Sequence, residues 1–398
     1  MEKVDYLILG GGPAGLTVAN RLLDRGITSF LVLEKEEDAG GLCRSRTVDG
    51  SPLDIGGGHI LDVRRPAVTD YLFRFMPLEE WNIYDRKSDI CINDGLCIDY
   101  PYEANIWQLP IDEQVEHLLS IFQAGCNCGV PKPELFDDWI VWKLGEKIAR
   151  EYMFPYNKKI WSIDIKRLGT YWMEKLPDVS IKETLHSCLE HKPYGSLPGH
   201  SKFYYPKRFG FGELFLRMAD RVKDHIVYQE DVQNLQVDRL CVNNRFTANK
   251  IINTIPWKAF EHSEDMPAEI LQAIAELEYT SVVIEYQPDR KDTLAHWTYF
   301  PNEEIPYHRI LWRSNFCEGS TGYWTETNLK RYTPDPEKFS YVNQFAYPLN
   351  TIEKPDAIAK ILNWAKTKNL FGLGRWGEWE HLNADVTIEH AMYLADEL

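Results

Sequence analysis

The chain has 398 residues, long for one hydrophobic core, and an apolar share of 44%, so two or three packed units are expected. Its formal net charge of −16 repels phosphate backbones and argues against nucleic acid as a partner. No stretch approaches the roughly 20 apolar residues of a membrane-spanning helix, and the apolar run at the start is too short for a signal peptide; a cytoplasmic protein with no integral membrane segment is expected.

That opening run, Val4 and Tyr6 to Leu9, predicts a buried parallel strand. Gly10-Gly11-Gly12-Pro13-Ala14-Gly15 follows, then a helix over Leu16–Leu23 ended by Gly26. A second strand, Phe30–Leu33, closes on Glu34. Gly-x-Gly-x-x-Gly between a strand and a helix is the dinucleotide-binding arrangement. Gly10 makes the turn, Gly12 admits the pyrophosphate and Gly15 lets helix and strand pack. The helix start supplies free N–H groups to phosphate. Glu34 stands where an acid accepts ribose hydroxyls; an Arg or a neutral residue there would favour NADP. Lys35 borders the same site.

Two more glycine loops come next, Gly40-Gly41-Leu42-Cys43-Arg44 and Gly56-Gly57-Gly58-His59. A simple NAD domain has no use for them. The first suits the rest of an extended dinucleotide, and the second suits a flavin ring passing close to backbone. FAD is therefore the expected cofactor.

Helices are predicted over Ile111–Ala124 and Glu134–Met153, the second with an apolar stripe Ile140, Leu144, Ile148 and Tyr152 and a break at Pro155. Alternating stretches at Ser281–Tyr286, Tyr307–Arg313 and Tyr323–Thr327 predict an antiparallel sheet. Near the end, Phe371-Gly372-Leu373-Gly374-Arg375 precedes a helix over Val386–Leu394 that opens at Asn383-Ala384-Asp385. The eight cysteines are scattered, show no paired metal-ligand spacing, and are read as reduced thiols. No metal site is expected.

These segments in this order resemble the UDP-galactopyranose mutase-like branch of the FAD-dependent amine oxidase and protoporphyrinogen oxidase superfamily. The resemblance rests on Glu34 with Gly40-Gly41, Gly57-Gly58-His59-Ile60, Phe136-Asp137-Asp138-Trp139, Tyr156-Asn157-Lys158-Lys159-Ile160-Trp161, Ile305-Pro306-Tyr307-His308-Arg309-Ile310, Ala346-Tyr347-Pro348-Leu349 and Gly372 to Glu378. It implies an α/β fold: a Rossmann-type FAD-binding domain (1–80, 204–258 and 366–398), a helical domain (104–200), and a six-stranded antiparallel-sheet substrate domain (81–103 and 275–350). It adds Pro13, Ala14, Gly41, Leu42, Arg44, Gly57, Gly58, His59, Val232, Gly374, Arg375, Asn383 and Ala384 to the cofactor contacts.

The resemblance also implies chemistry. In the mutases a reduced flavin's ring nitrogen displaces the nucleoside diphosphate from a sugar, whose ring opens and recloses at another size without net redox change. Arg309 matches a diphosphate-binding Arg, Tyr347 a phosphate-contacting Tyr, and Tyr156 and Trp161 pocket aromatics for a nucleotide sugar. His59, Arg309 and Tyr347 are the catalytic candidates. A homodimer is compatible with such relatives.

Four positions depart from the mutase pattern: Asp62 replaces a second His, Val179 a second diphosphate Arg, and His381 and Asn383 a Tyr and an Asp. Losing that Arg removes a contact of ~1.5–3 kcal/mol; Arg313 and Arg208 are the candidates to replace it. Three functions follow: a flavin-dependent isomerase of nucleotide-activated sugars in cell-surface polysaccharide synthesis, an oxidoreductase passing a hydride from substrate to FAD, and a flavin-binding relative without a substrate site.

Overall fold

Burial on both faces makes the opening segment a strand: β1 (Glu2–Leu9) ends in Leu7, Ile8 and Leu9, all fully buried. The computed structural model describes residues 1–93, 95–173, 178–195, 201–262, 266–289 and 291–398. After the glycine turn, α1 (Pro13–Asp24) starts with proline, whose fixed φ and missing N–H suit a first helical turn. A Cβ on Gly15 would sit 2.0 Å from the Gly10 carbonyl oxygen, so only glycine lets the helix lie this close to the turn. β2 (Phe30–Glu34) is buried throughout and pairs in parallel with β1.

Five parallel strands form the heart of an eight-stranded sheet: Ile226–Tyr228, β2, β1, Phe246–Asn253 and Leu370–Gly372. Cys241–Val242 and Asn234–Gln236 extend it antiparallel, and Glu261–His262 pairs in parallel at the edge. The last helix, Ala384–Glu397, packs beside α1 through Ile388 and Ala391 against the core containing Leu16, Ala19 and Leu22. Three chain segments distant in sequence thus build one Rossmann-type layer.

A second sheet has seven strands, in the order Ser340–Pro348, Tyr279–Gln287, Tyr323–Asn328, Arg309–Leu311, Trp297–Tyr299, Ser88–Asn93 and Leu96–Asp99. It corrects the expectation of a six-stranded antiparallel sheet, because Ser88–Asn93 runs parallel to Trp297–Tyr299. The hairpin that contains Ser88–Asn93 enters from a small three-stranded sheet, Leu61–Asp62, Lys202–Pro206 and Trp81–Asp85, and so reaches the large sheet in that direction.

The helices Ile111–Phe122, Phe136–Ile148, Phe154–Trp161 and Ile181–Glu190 stand over this sheet. The predicted stripe Ile140, Leu144, Ile148 and Tyr152 is buried as one core. Pro155 is no break. It sits in the first turn of Phe154–Trp161, where a missing N–H costs nothing, and a π-helical turn (Ala149–Met153) carries the chain into it. The kink falls instead at Gly145, whose φ of 78° leaves the helical region.

The cysteines need a second correction. Cys91 and Cys97 are disulfide-bonded, not reduced, because they face each other across the Ser88–Asn93/Leu96–Asp99 hairpin with Cα atoms 4.0 Å apart. The other six are free thiols. Among the described residues no helix is long and apolar enough to cross a membrane.

Candidate active site

A cavity of about 470 Å³ opens at the carboxyl ends of β1 and β2, where parallel α/β sheets bind ligands. Gly10, Gly12, Pro13 and Ala14 line it from the first turn, Glu34 and Lys35 from the end of β2, Gly41, Leu42 and Arg44 from the second glycine loop, and Val232, Arg375 and Ala384 from later segments. Neither α1 nor the last helix has a side-chain N-cap, and both begin at this cavity. Their first backbone N–H groups and the positive ends of two helix dipoles therefore converge on it.

Glu34 is buried. It accepts hydrogen bonds from the backbone N–H of Gly11 at 2.8 Å and of Glu36 at 3.0 Å. It thus holds the glycine turn as well as facing the cavity. Burial pushes its pKa up, and the two N–H bonds work against that. Arg44 is held by the Gly41 carbonyl at 3.0 Å and the Tyr341 hydroxyl at 2.7 Å, which joins the second glycine loop to the seven-stranded sheet.

A smaller cavity of about 190 Å³ adjoins the first and shares His59, Arg375 and Ala384 with it. Gly58, Arg309, Tyr347, His381 and Asn383 also line this chamber, so segments far apart in sequence meet there. His59 Nδ1 lies 3.1 Å from the Gly57 carbonyl, which assigns the proton to Nδ1 and leaves Nε2 as an acceptor. Burial, then the charge of Arg375, lowers its pKa to about 4, so the ring is neutral at physiological pH. Arg375 is spent on backbone: its guanidinium donates to the carbonyls of Leu382 at 2.8 Å and Ala346 at 2.9 Å. It locks the last helix to the sheet at the junction of the two cavities. Gly374, with φ 73°, makes the turn that aims it.

Arg309 is not an idle cation. Its Nε and Nη2 both donate to Glu326 Oε2, at 2.8 and 2.5 Å. Tyr347 Oη stands 3.5 Å from Nη2. Glu326 is fully buried and accepts the Gly58 N–H through its other oxygen at 3.2 Å. Burial pushes the Glu326 pKa up, but Arg309 and His308 outweigh it and hold the carboxyl at about 2. The glycine loop is shaped to this carboxylate: a Cβ on Gly57, where φ is 99°, would come within 2.8 Å of Glu326 Oε1.

Tyr156 and Trp161 line neither cavity. Trp161 packs edge-on against Tyr347 with ring centres 6.0 Å apart, and Tyr156 against Tyr299 at 5.5 Å. They support the small cavity from behind. Of the departures, His381 lies 4.9 Å from the Tyr347 ring and Asn383 precedes the last helix. Asp62 is buried and chelates Arg64, with Nε at 2.8 Å. Val179 is buried, while Leu176 and Pro177 of its segment lie outside the described residues.

Neither candidate replacement cation reaches the chamber. Arg313 is buried among the carbonyls of Thr321 and Val48 at 2.7 Å, and Arg208 is exposed. Sequence reasoning missed two residues that matter. Glu326 had a signal, as the one acid in the alternating strand Tyr323–Asn328. Arg86, which lines the small cavity, had none: it reads as part of a charged turn, Asp85-Arg86-Lys87.

Fold and site together define a dinucleotide-binding α/β protein of Rossmann type with a second, polar chamber against the first. The NAD(P)-binding Rossmann-like domain model matches residues 8–75. The UDP-galactopyranose mutase of Mycoplasma pneumoniae (strain ATCC 29342 / M129 / Subtype 1) is 22% identical over 416 aligned residues, spanning 100% of this chain and 96% of that protein. The dTDP-fucopyranose mutase of Escherichia coli is 20% identical, spanning 99% of this chain and 98% of the relative. The crystal structure of a reduced UDP-galactopyranose mutase superposes with a TM-score of 0.88 at 21% identity, covering 100% of this chain and 94% of that one. Along its whole length the chain is thus similar to UDP-galactopyranose mutase-like proteins, whose fold it shares.

Proposed function

We propose that the protein is an FAD-dependent enzyme that acts on a nucleotide-activated sugar in an isomerase-type reaction. The observation that carries this reading is the pair of adjoining cavities sharing His59, Arg375 and Ala384. The larger one suits FAD: about 470 Å³ lies within the range of ligand pockets, two helix starts without side-chain caps face it, and Glu34 offers ribose an acceptor. The backbone N–H groups after Gly12 and before Thr387 would hold the pyrophosphate, with Val232 and Lys35 at the nucleoside end. FAD, when bound and reduced, supplies the nucleophile that distinguishes mutase chemistry from simple nucleotide-sugar binding.

The chain's own residues then have defined tasks. Neutral His59 keeps a lone pair on Nε2 and accepts a proton or hydrogen bond without adding charge beside the cofactor. Tyr347 donates its hydroxyl proton to a phosphate oxygen. Arg309 offers its remaining N–H groups to the departing diphosphate while Glu326 fixes its plane. Trp161 and Tyr156 stiffen the wall behind Tyr347 and exclude water. The relatives' names support a nucleotide sugar as the substrate class.

The test is direct. Purified protein is reduced with dithionite and incubated with UDP-galactose and a panel of dTDP-sugars, and products are separated by chromatography. A new sugar isomer that appears only after reduction is the expected result. Unchanged sugars throughout, with an amine bleaching the oxidised cofactor instead, would replace this reading with the oxidoreductase one.

A further inference from the structure

The helix Ile111–Phe122 packs one face against the helical core and leaves a second, apolar face in solvent. His117 and Ile121 point inward and are buried. Ile111, Val115, Leu119 and Phe122 recur at the spacing of a single helix face, and they are 76, 49, 57 and 49% exposed. The rotation of the helix is fixed from behind. His117 Nε2 lies 3.0 Å from the Tyr102 hydroxyl, and Lys147 of the neighbouring helix reaches Glu113 at 2.9 Å and Glu116 at 2.6 Å. The helix therefore cannot roll its outer row into the core. The row continues past the helix end: Cys128 Sγ donates to the Phe122 carbonyl at 3.5 Å, and half-exposed Val130 donates its N–H to the Gly125 carbonyl at 2.9 Å.

These five exposed side chains, Val130 included, present roughly 500 Å² of apolar surface, near the upper end of what a lone monomer shows. A standard dimer interface takes about 800 Å² from each partner, about 60% of it apolar, so the row supplies the apolar share of one half. The ends of the patch are oppositely charged. Asp112 stands in the first turn of the helix and Lys132 lies just beyond Val130. Both are exposed, and among the described residues neither has an ion-pair partner. The formal net charge of −16 opposes a phosphate-bearing surface as the partner, whereas general repulsion between two copies is screened at physiological ionic strength.

We infer that this face is one half of a symmetric interface between two copies of the chain. About a twofold axis passing near Val115 and Leu119, the two helices run antiparallel and each row meets its own copy. The Asp112 end of one copy then lies against the Lys132 end of the other, twice over. None of these residues lines either cavity, so the interface stands apart from the nucleotide-sugar reading.

The experiment is sedimentation equilibrium of the full chain over a wide concentration range. The wild type is expected at twice the chain mass of 46.4 kDa. V115E and L119E each set a charge against its own copy at the axis, and the dissociation constant should rise at least about a hundredfold. Both positions are half-exposed, so far-UV circular dichroism and the thermal midpoint of the variants, read at monomer concentrations, certify an intact fold. L294E, at an exposed leucine elsewhere on the surface, leaves the mass unchanged. D112K and K132D each weaken association, and the double exchange restores it. A wild type that stays at 46.4 kDa overturns the assignment; if that monomer co-floats with phosphatidylcholine vesicles and L119E does not, the face belongs to a membrane surface instead. A dimer that persists in both V115E and L119E overturns it as well, because another surface then holds the copies together.

Discussion

Replacing Glu326 by glutamine removes one charge and little else. Gln keeps the volume and an oxygen for the Gly58 N–H, but it leaves the Arg309 guanidinium buried without its counter-ion. The drop of the Glu326 pKa from 4.5 to about 2 corresponds to about 3 kcal/mol of stability above pH 4.5, at about 1.4 kcal/mol for each tenfold change in proton affinity. Breaking a buried pair costs about 3–5 kcal/mol in other proteins, a consistent scale. The sign follows from the lowered folded value: the contribution is complete above 4.5 and is lost as pH falls from there toward 2. Urea denaturation of wild type and E326Q should therefore differ by about 3 kcal/mol at neutral pH and by less than half of that near pH 3. A difference below about 1 kcal/mol at pH 7, or one that stays constant down to pH 3, would refute the ion pair as the organiser of this site.

Gly57→Ala forces a Cβ to within 2.8 Å of Glu326 Oε1 at a positive φ; on the proposed FAD reading, the purified variant is expected to retain little flavin by absorbance compared with wild type. Arg375→Ala frees the carbonyls of Ala346 and Leu382; flavin retention and the thermal midpoint should fall together, by about 1–3 kcal/mol in stability. Lys159 is buried, donates to the Phe300 and Asn302 carbonyls, and burial followed by the charge of Arg331 lowers its pKa to about 7. Stability should thus rise between pH 7 and 10.5, where the unfolded chain still holds that proton, and K159M should abolish the rise in urea melts. Thiol titration of denatured protein should find six reactive groups without reductant and all eight cysteines after reduction; eight without reductant would contradict the Cys91–Cys97 bond.

Much of the first cavity was legible because its parts are local. A strand, a glycine turn and a helix start are contiguous, and each residue's role follows from its neighbours in sequence: Gly15 must pack under the Gly10 carbonyl whatever the rest of the chain does. Arg44, Val232 and Arg375 were found by resemblance and do line that cavity. The resemblance points to Tyr156 and Trp161 as pocket aromatics; they line neither cavity and pack against Tyr299 and Tyr347, because helix periodicity tells which face is apolar but not which apolar face meets a void.

The sequence by itself determined the Rossmann-type core, the two glycine-lined helix starts and the Glu34 acceptor, since short-range sterics and backbone hydrogen bonding decide those. Tertiary structure alone decided that Arg309 pairs with Glu326 and that Cys91 meets Cys97. It alone put Arg86, rather than Arg313 or Arg208, beside the chamber. Each of these depends on strand register and on how distant segments pack. A charge buried in that packing takes its partner from whatever residue lies across the sheet.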